Sequence, residues 1–121
     1  MPGNTDYAAW RERLAEENDP AFWPIEAIDA ELGANRAQFW CDGTSALVTR
    51  VVEYPGGAKV LEGLAASGTL KSIWGQIVPQ LEAFARLHGI RRLHAMGRPG
   101  WSRAHPQGWE EYMTVIVKDI A

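Results

Sequence analysis

"SGTLKSIWGQIVPQLEAFARLHG", Ser67 to Gly89, is the stretch on which the fold turns. Leu70, Ile73, Trp74, Ile77, Leu81, Phe84, Ala85 and His88 recur there at helical spacing, the pattern of a helix that buries one face. Thr69 stands where an N-cap accepts an orphan amide, and Gly89 where a left-handed residue closes a helix. Between them, Pro79 lacks an amide donor and crowds the carbonyl of Gly75, so a kink is expected near the middle. The spacing predicts one long helix over 70–88.

Upstream of that helix the apolar period shortens to two. "AQFWC" (37–41) and "TSALVTRVVEY" (44–54) flank Asp42-Gly43, a pair that accepts the positive φ angles of a tight hairpin turn. "YPGG" (54–57) marks a second turn, and "AKVLEGLAA" (58–66) reads as a third antiparallel strand. Strands are therefore expected near 37–41, 45–54 and 58–66, as a meander. Gly63, inside the third, signals a bulge or a close backbone approach.

Two helices precede the strands. Tyr7, Trp10 and Leu14 define the first, over 7–17, with Thr5 or Asp6 as its cap and "ENDP" as its end. Pro24 suits the first turn of the second, in which Ile25, Ile28 and Leu32 repeat until Gly33 or Asn35 ends it. After the long helix, "IRRLHAM" (90–96) reads as a strand, "GRPGWSRAHPQGW" (97–109) as a corner anchored by Trp101, and "EEYMTVIVKDI" (110–120) as a final strand. Arg98 and Arg103 flank the corner, available to an anion or to solvent.

Residues 1–121 are expected to form a single domain, since 121 residues with 46% apolar side chains suffice for one core. Against 15 acidic side chains stand 12 Lys and Arg, a formal charge of -3. That balance argues against a nucleic-acid or anionic-membrane partner. The one cysteine, Cys41, rules out an internal disulfide, and with three scattered histidines it offers no zinc spacing, so no metal is expected. Cys41 itself has no paired histidine in sequence to activate it and reads as a half-buried structural thiol. The beginning of the chain lacks a signal-peptide pattern and no apolar run reaches about 20 residues. A cytoplasmic protein is the expectation.

The order of elements resembles the GNAT superfamily of acyl-CoA N-acyltransferases over roughly Tyr7 to Ile120: two helices, a three-strand meander, a central helix, a strand, a short corner and a final strand. The tract "FWCDGTSALVTRVVEYPGGAKVLEG", followed by "IVPQLEAFARLHGI" and "GRPGW", is similar to small GNAT-like proteins of tailed phages and prophages. The resemblance implies an α+β fold in which the meander's last strand and the strand after the central helix splay apart. An acyl-pantetheine arm lies between them, and its pyrophosphate sits on amides at the helix start, where unpaired N–H groups and the helix dipole favour an anion.

Here that place is "AASGTLKSI" (65–73), making Gly68, Thr69, Leu70 and Lys71 the candidate residues for acetyl-CoA or another acyl-CoA. The same residues also read simply as a turn and a cap. The family pattern is Gln or Arg, two residues, Gly, one residue, then Gly or Ala. Only Gly68 matches, because Ala65 and Leu70 fill the flanking positions. Amide formation needs a base for the ammonium proton and an acid for the leaving thiolate. Glu62, on the strand before the helix, is the candidate base, or a solvent-facing carboxylate. His105 is the candidate acid, or a surface turn residue.

Two functions follow from the resemblance. The departure at the pyrophosphate loop favours a phage- or prophage-encoded protein that has lost catalysis and binds a phage or host protein, in the virion or during host takeover. The alternative is an active N-acyltransferase using acyl-CoA on a small amine or a protein amine.

Overall fold

The structure, a computed structural model, describes residues 4–95, 108–110 and 117–120. Helix α1 (Asn4–Glu17) and helix α2 (Ile25–Gly33) precede strands β1 (Gln38–Cys41), β2 (Ser45–Glu53) and β3 (Lys59–Gly68). A long helix, α3, follows in three segments, Leu70–Ser72, Ile73–Ile77 and Val78–His88, and leads to β4 (Arg92–His94). The sheet order is β1-β2-β3-β4; the first three strands pair antiparallel, and β4 lies parallel to β3. This is the α+β meander-and-helix arrangement that the sequence predicts. The expected corner and final strand, with Trp101, Arg98, Arg103 and the candidate acid His105, fall almost wholly outside the described residues. Within them, Trp109 meets Trp74 edge-on with ring centroids 4.8 Å apart, joining the end of the corner to α3.

Strand alternation sends alternate side chains to opposite faces, and each face has its own core. Toward α3 the sheet presents Trp40, Leu47 and Leu61, which pack with Ile73, Ile77, Val78, Leu81 and Ala85. Toward α1 and α2 it presents Phe39, Ala46, Val48 and Ala65, which meet Trp10, Leu14 and Ile28. One polar side chain is built into the first core. Thr49 is almost fully buried, accepts a hydrogen bond from Trp40 Nε1 at 2.8 Å and donates to Gln38 Oε1 at 2.9 Å. With both partners present, its burial costs little.

The predicted helix stripe is correct in phase, with two differences. His88 is exposed and Phe84 half-buried, so the stripe fades toward the C-terminus. Pro79 is accommodated by a widened turn. The Val78 amide reaches back to the Ile73 carbonyl, five residues earlier, which defines the π-helical segment Ile73–Ile77. Such a turn makes room for the proline ring at the point where Pro79, lacking an N–H, leaves the ladder one donor short. Helix α3 ends as predicted, with Gly89 at φ +68°.

Other boundaries shift slightly. Helix α1 already includes Asn4, so Thr5 and Asp6 lie within the helix and not at the position before it. Asn35, at φ +59°, takes the left-handed position after α2. The two helices are tied together at Asp29, which accepts from Tyr7 Oη at 2.6 Å and from Arg11 Nη2 at 2.7 Å. The Arg11 guanidinium holds the Asp29 carboxyl below the usual carboxylate range, while burial and Asp29 together push the Tyr7 hydroxyl up.

The two-core arrangement sets an expectation for stability. Ile77 is fully buried whereas Leu87, on the opposite side of the same helix, is 80% exposed. Ile77→Ala should cost about 2–5 kcal/mol in chemical denaturation, and Leu87→Ala no more than about 0.5 kcal/mol.

Candidate functional site

Strand β3 carries the site. Its pairing with β2 runs from Glu53↔Lys59 to Thr49↔Gly63 and then slips, so that Val48 faces Ala65 and Leu64 has no partner. This is a β-bulge beside Gly63, at the place where the glycine signals one. The extra residue puts consecutive side chains, Leu64 and Ala65, on the α1–α2 face. On the other edge, β3 pairs with β4 only through Val60↔Arg92, Leu61↔Leu93 and Glu62↔His94. Beyond that rung β3 continues to Gly68, whereas β4 ends at His94. The strands therefore part company at Glu62.

Glu62 is half-buried, and its side chain is 14% exposed. Leu61 belongs to the α3 core, so Glu62 points toward α1 and α2. Its register partner on β2, Arg50, places Nη2 3.3 Å from Glu62 Oε1. The Arg50 guanidinium in turn lies 5.3 Å from the ring centre of Trp23, in the connection between α1 and α2. A cation over an indole face is attractive, and both contacts hold the guanidinium end of the arginine.

At the far end of β3 the four helix-start candidates come together. Gly68 has φ +105°, and a Cβ there would collide with the Thr44 carbonyl and Ser45 Oγ. Only glycine allows this approach. Thr69 caps α3, accepting from the Ser72 amide at 3.3 Å, as predicted. Its own amide donates to Ser45 Oγ at 2.9 Å, and the Ser45 hydroxyl donates to the Thr69 carbonyl at 3.1 Å. Leu70, half-buried, and Lys71, exposed, occupy the first two helical positions, where N–H groups have no intrahelical acceptor. The Thr69 amide is thus engaged within the protein, and those of Leu70 and Lys71 begin the helix without an intrahelical acceptor.

Asp42 completes this end. Its carboxylate accepts from the amides of Thr44 at 2.9 Å and Ser45 at 2.8 Å, and from the Ser72 hydroxyl, which itself accepts from Thr44 Oγ1 at 2.7 Å. The hairpin is consequently a three-residue loop, Asp42 to Thr44, stapled to the first turn of α3. The Ser72 hydroxyl and these amides hold the Asp42 carboxyl below the ordinary range. Nearby, Cys41 is half-buried and burial pushes its thiol up, which suits the structural role read for it. Among the described residues no cluster of side chains could hold a metal ion, and no helix is long and apolar enough to cross a membrane.

The structure does not bring Glu62 to the helix start. Five residues of strand lie between Glu62 and Gly68, a span of about 20 Å along β3. The candidates form two ends of one edge, and His105 lies outside the described residues. Arg50 and His94, which share the rung of Glu62, were not singled out as site residues by sequence. Counting outward from the turn closed by the Tyr54 amide on the Ala58 carbonyl would have set Arg50 opposite Glu62. His94 depends on a parallel pairing that no local turn specifies.

The architecture is an α+β, GNAT-like fold. Its likeness to solved structures is in shape and not in sequence. A Thermus thermophilus protein superposes with a TM-score of 0.60 at 10% identity, covering 99% of this chain and 98% of its own. A predicted acetyltransferase from Clostridium acetobutylicum, solved with acetyl-CoA, gives 0.57 at 12% identity over 93% of this chain and 88% of its own. A ribosomal-protein-alanine N-acetyltransferase from Brucella melitensis gives 0.57 at 14% identity over 93% and 92%. No sequence-family profile matches the chain, and no curated protein matches it.

Two measurements check the helix-start geometry. Gly68→Ala forces a left-handed backbone and a collision, and should lower stability by at least about 1–3 kcal/mol. Because the folded Asp42 carboxyl is held below its unfolded value, its contribution is present above about pH 4 and is lost as pH falls through the folded value. Asp42→Asn should therefore flatten the acid limb of the stability profile.

Proposed function

We propose that the chain is an acyl-CoA-dependent N-acyltransferase acting on a primary amine. The observation that carries this reading is the fork in the sheet: β3 loses β4 after the Glu62↔His94 rung and, among the described residues, continues to the start of α3 with no strand on that edge. An unpaired strand edge offers main-chain donors and acceptors to an extended ligand. One end of that edge has Glu62; the other has the amides of Leu70 and Lys71, with the Lys71 ammonium beside them. This layout suits a long thioester, its diphosphate at the helix start and its acyl group near Glu62. The acetyl-CoA held by the Clostridium protein of the same fold supports the assignment.

In this reading Glu62 accepts a proton from the substrate ammonium, which frees the nitrogen lone pair to attack the thioester carbonyl. The nitrogen of the adduct gives up its second proton as the C–S bond breaks, and the departing sulfur takes up one proton, so the products are an amide, a free thiol and the proton held by Glu62. Arg50 keeps the Glu62 carboxylate oriented and His105 supplies the thiol proton.

A second reading has its own support. The Thr69 amide is closed off by Ser45, and Leu70 occupies a position that is small in the enzyme pattern. A phage- or prophage-derived protein that keeps the fold, lacks turnover and binds a phage or host protein would have those features.

Thermal shift and turnover separate the two. As an enzyme, the protein gains melting temperature with CoA in proportion to RT ln(1 + [L]/Kd). Glu62→Gln then loses about 10²–10⁴-fold in kcat while CoA binding is unchanged. No shift at millimolar CoA together with no acyl transfer to a panel of amines selects the binding role.

A further inference from the structure

Two of the arginine–carboxylate pairs are forks. Arg11 reaches Asp29 with Nε at 3.0 and 3.1 Å and with Nη2 at 2.7 Å. Arg36 reaches Glu31 with Nε at 2.8 Å and Nη2 at 3.3 Å. Parallel N–H···O bonds hold guanidinium and carboxylate in one plane, so each of these pairs orients itself.

The pair of Arg50 with Glu62 is built differently. One bond joins Arg50 Nη2 to Glu62 Oε1 at 3.3 Å, and the buried Arg50 Nε has no hydrogen-bond partner among the described residues. A single bond of that length sets a separation but not the plane of the guanidinium. A second carboxylate also feels the Arg50 charge. The Glu31 carboxyl, near the end of α2, is held below the ordinary range first by its hydrogen bonds to Arg36 and least by Arg50.

The other contact to the Arg50 guanidinium is the Trp23 indole, whose ring centre lies 5.3 Å from the guanidinium carbon. The negative face of an indole attracts a cation, and this indole is itself anchored. The Trp23 amide donates to the Asp19 carbonyl at 3.1 Å, and its carbonyl accepts from Asn18 Nδ2 at 2.9 Å. Its side chain packs against the core of the α1–α2 face. An anchored aromatic plane beside a singly bonded cation supplies the orientation that a second hydrogen bond gives in the forks.

We infer that Trp23 is a positioning residue for Glu62 and acts through Arg50: the indole keeps the guanidinium turned to Glu62 and away from Glu31. The inference rests on the acyltransfer reading above, in which the carboxylate must meet the substrate ammonium in one geometry. Trp23 then affects proton transfer and not the hold on the thioester, so its loss falls on kcat and leaves CoA affinity alone.

The test uses the full chain in three variants. Trp23→Leu removes the ring face, Trp23→Phe keeps a smaller ring, and Trp23→Leu combined with Glu31→Gln removes the second carboxylate. NMR without substrate reads the ring-current shift of the Arg50 Nε–H and the contact of the guanidinium protons with the Glu62 side chain. Acetyl transfer to a panel of amines reads kcat, and calorimetry reads CoA affinity. Trp23→Leu is expected to lose both NMR features and about 3- to 30-fold in kcat at unchanged CoA affinity. Trp23→Phe should restore most of the loss, and the added Glu31→Gln part of it, which a general loosening of the fold would not allow. Arg50 signals in Trp23→Leu like those of the unsubstituted protein overturn the inference, as does an unchanged kcat or the failure of both rescues. If Trp23→Leu does not fold, Trp23→Phe decides, since its smaller ring must shift the Arg50 signal by an intermediate amount. Absence of acyl transfer in the unsubstituted protein overturns the acyltransfer reading, and the NMR comparison alone then decides whether Trp23 orients Arg50 toward Glu62.

Discussion

The close approach of Gly68 to the β1–β2 hairpin is the constraint on which the rest of the molecule depends. A side chain at that position would occupy the space of the Thr44 carbonyl and the Ser45 hydroxyl. Without one, Ser45 can bond both the amide and the carbonyl of Thr69, and Asp42 can reach the Ser72 hydroxyl. These bonds tie the first turn of α3 to the start of β2. The direction in which α3 leaves the sheet is set there, and with it the delivery of Ile73, Ile77 and Leu81 onto Trp40, Leu47 and Leu61. A short polar staple thus positions a much larger apolar contact, whose burial supplies most of the stabilisation.

Strand β3 is the second organising element because its edges do different work. Toward β2 it pairs along its whole length except at the bulge, and the bulge turns Leu64 into the core beneath α1 and α2. Toward β4 it pairs for three rungs, and among the described residues no strand pairs with that edge beyond them. Glu62 sits at the transition, where a rigid backbone holds the carboxylate and the neighbouring edge is free of β4. A site placed on paired strands is held more firmly than one on a loop, which suits a group that must meet a substrate in one geometry.

Much of this was legible in the residues because it is encoded locally. The phase of the α3 stripe, the two turns of the meander and the glycine at the bulge each follow from one short segment. Pro79 announced an interruption; its form, a π-helical turn, depends on how the ladder re-forms around the missing donor. The Ser45–Thr69 and Asp42–Ser72 bonds were not legible. Hydroxyl partners are chosen by tertiary approach, and nothing local to Ser45 points to a residue 24 positions away. The role of Ser45 also changes how the predicted anion site is read, since one of the amides counted for it is already taken. The row of Arg50, Glu62 and His94 escaped for a similar reason, because it unites three strands through a parallel pairing that is made only after α3 has crossed the sheet. The α1 cap was misplaced by less, since helix ends are weakly specified when a preceding residue can also adopt helical angles. The corner read as anchored by Trp101 and the acid role read for His105 remain sequence expectations, as both residues lie outside the described ones.

Stability and ligand binding compete for the same backbone at the start of α3. A helix has few unpaired N–H groups, and every one that secures the protein to itself is withdrawn from an anion. Ser45 takes the Thr69 amide and the Thr69 side chain takes that of Ser72, leaving the amides between them, of Leu70 and Lys71, as the opening. Under the acyltransfer reading proposed above, an anion there would meet a narrow pair of donors, and its affinity would be sensitive to ionic strength. The Glu62 end has the opposite character. Its groups lie in paired strands, and the Glu62 side chain is only 14% exposed, so there hydrogen-bond matching counts for more than net charge. In the acyltransfer reading proposed above, the helix start would contribute affinity common to every donor carrying the same diphosphate, and Glu62, on its paired strand, would fix where the amine is met.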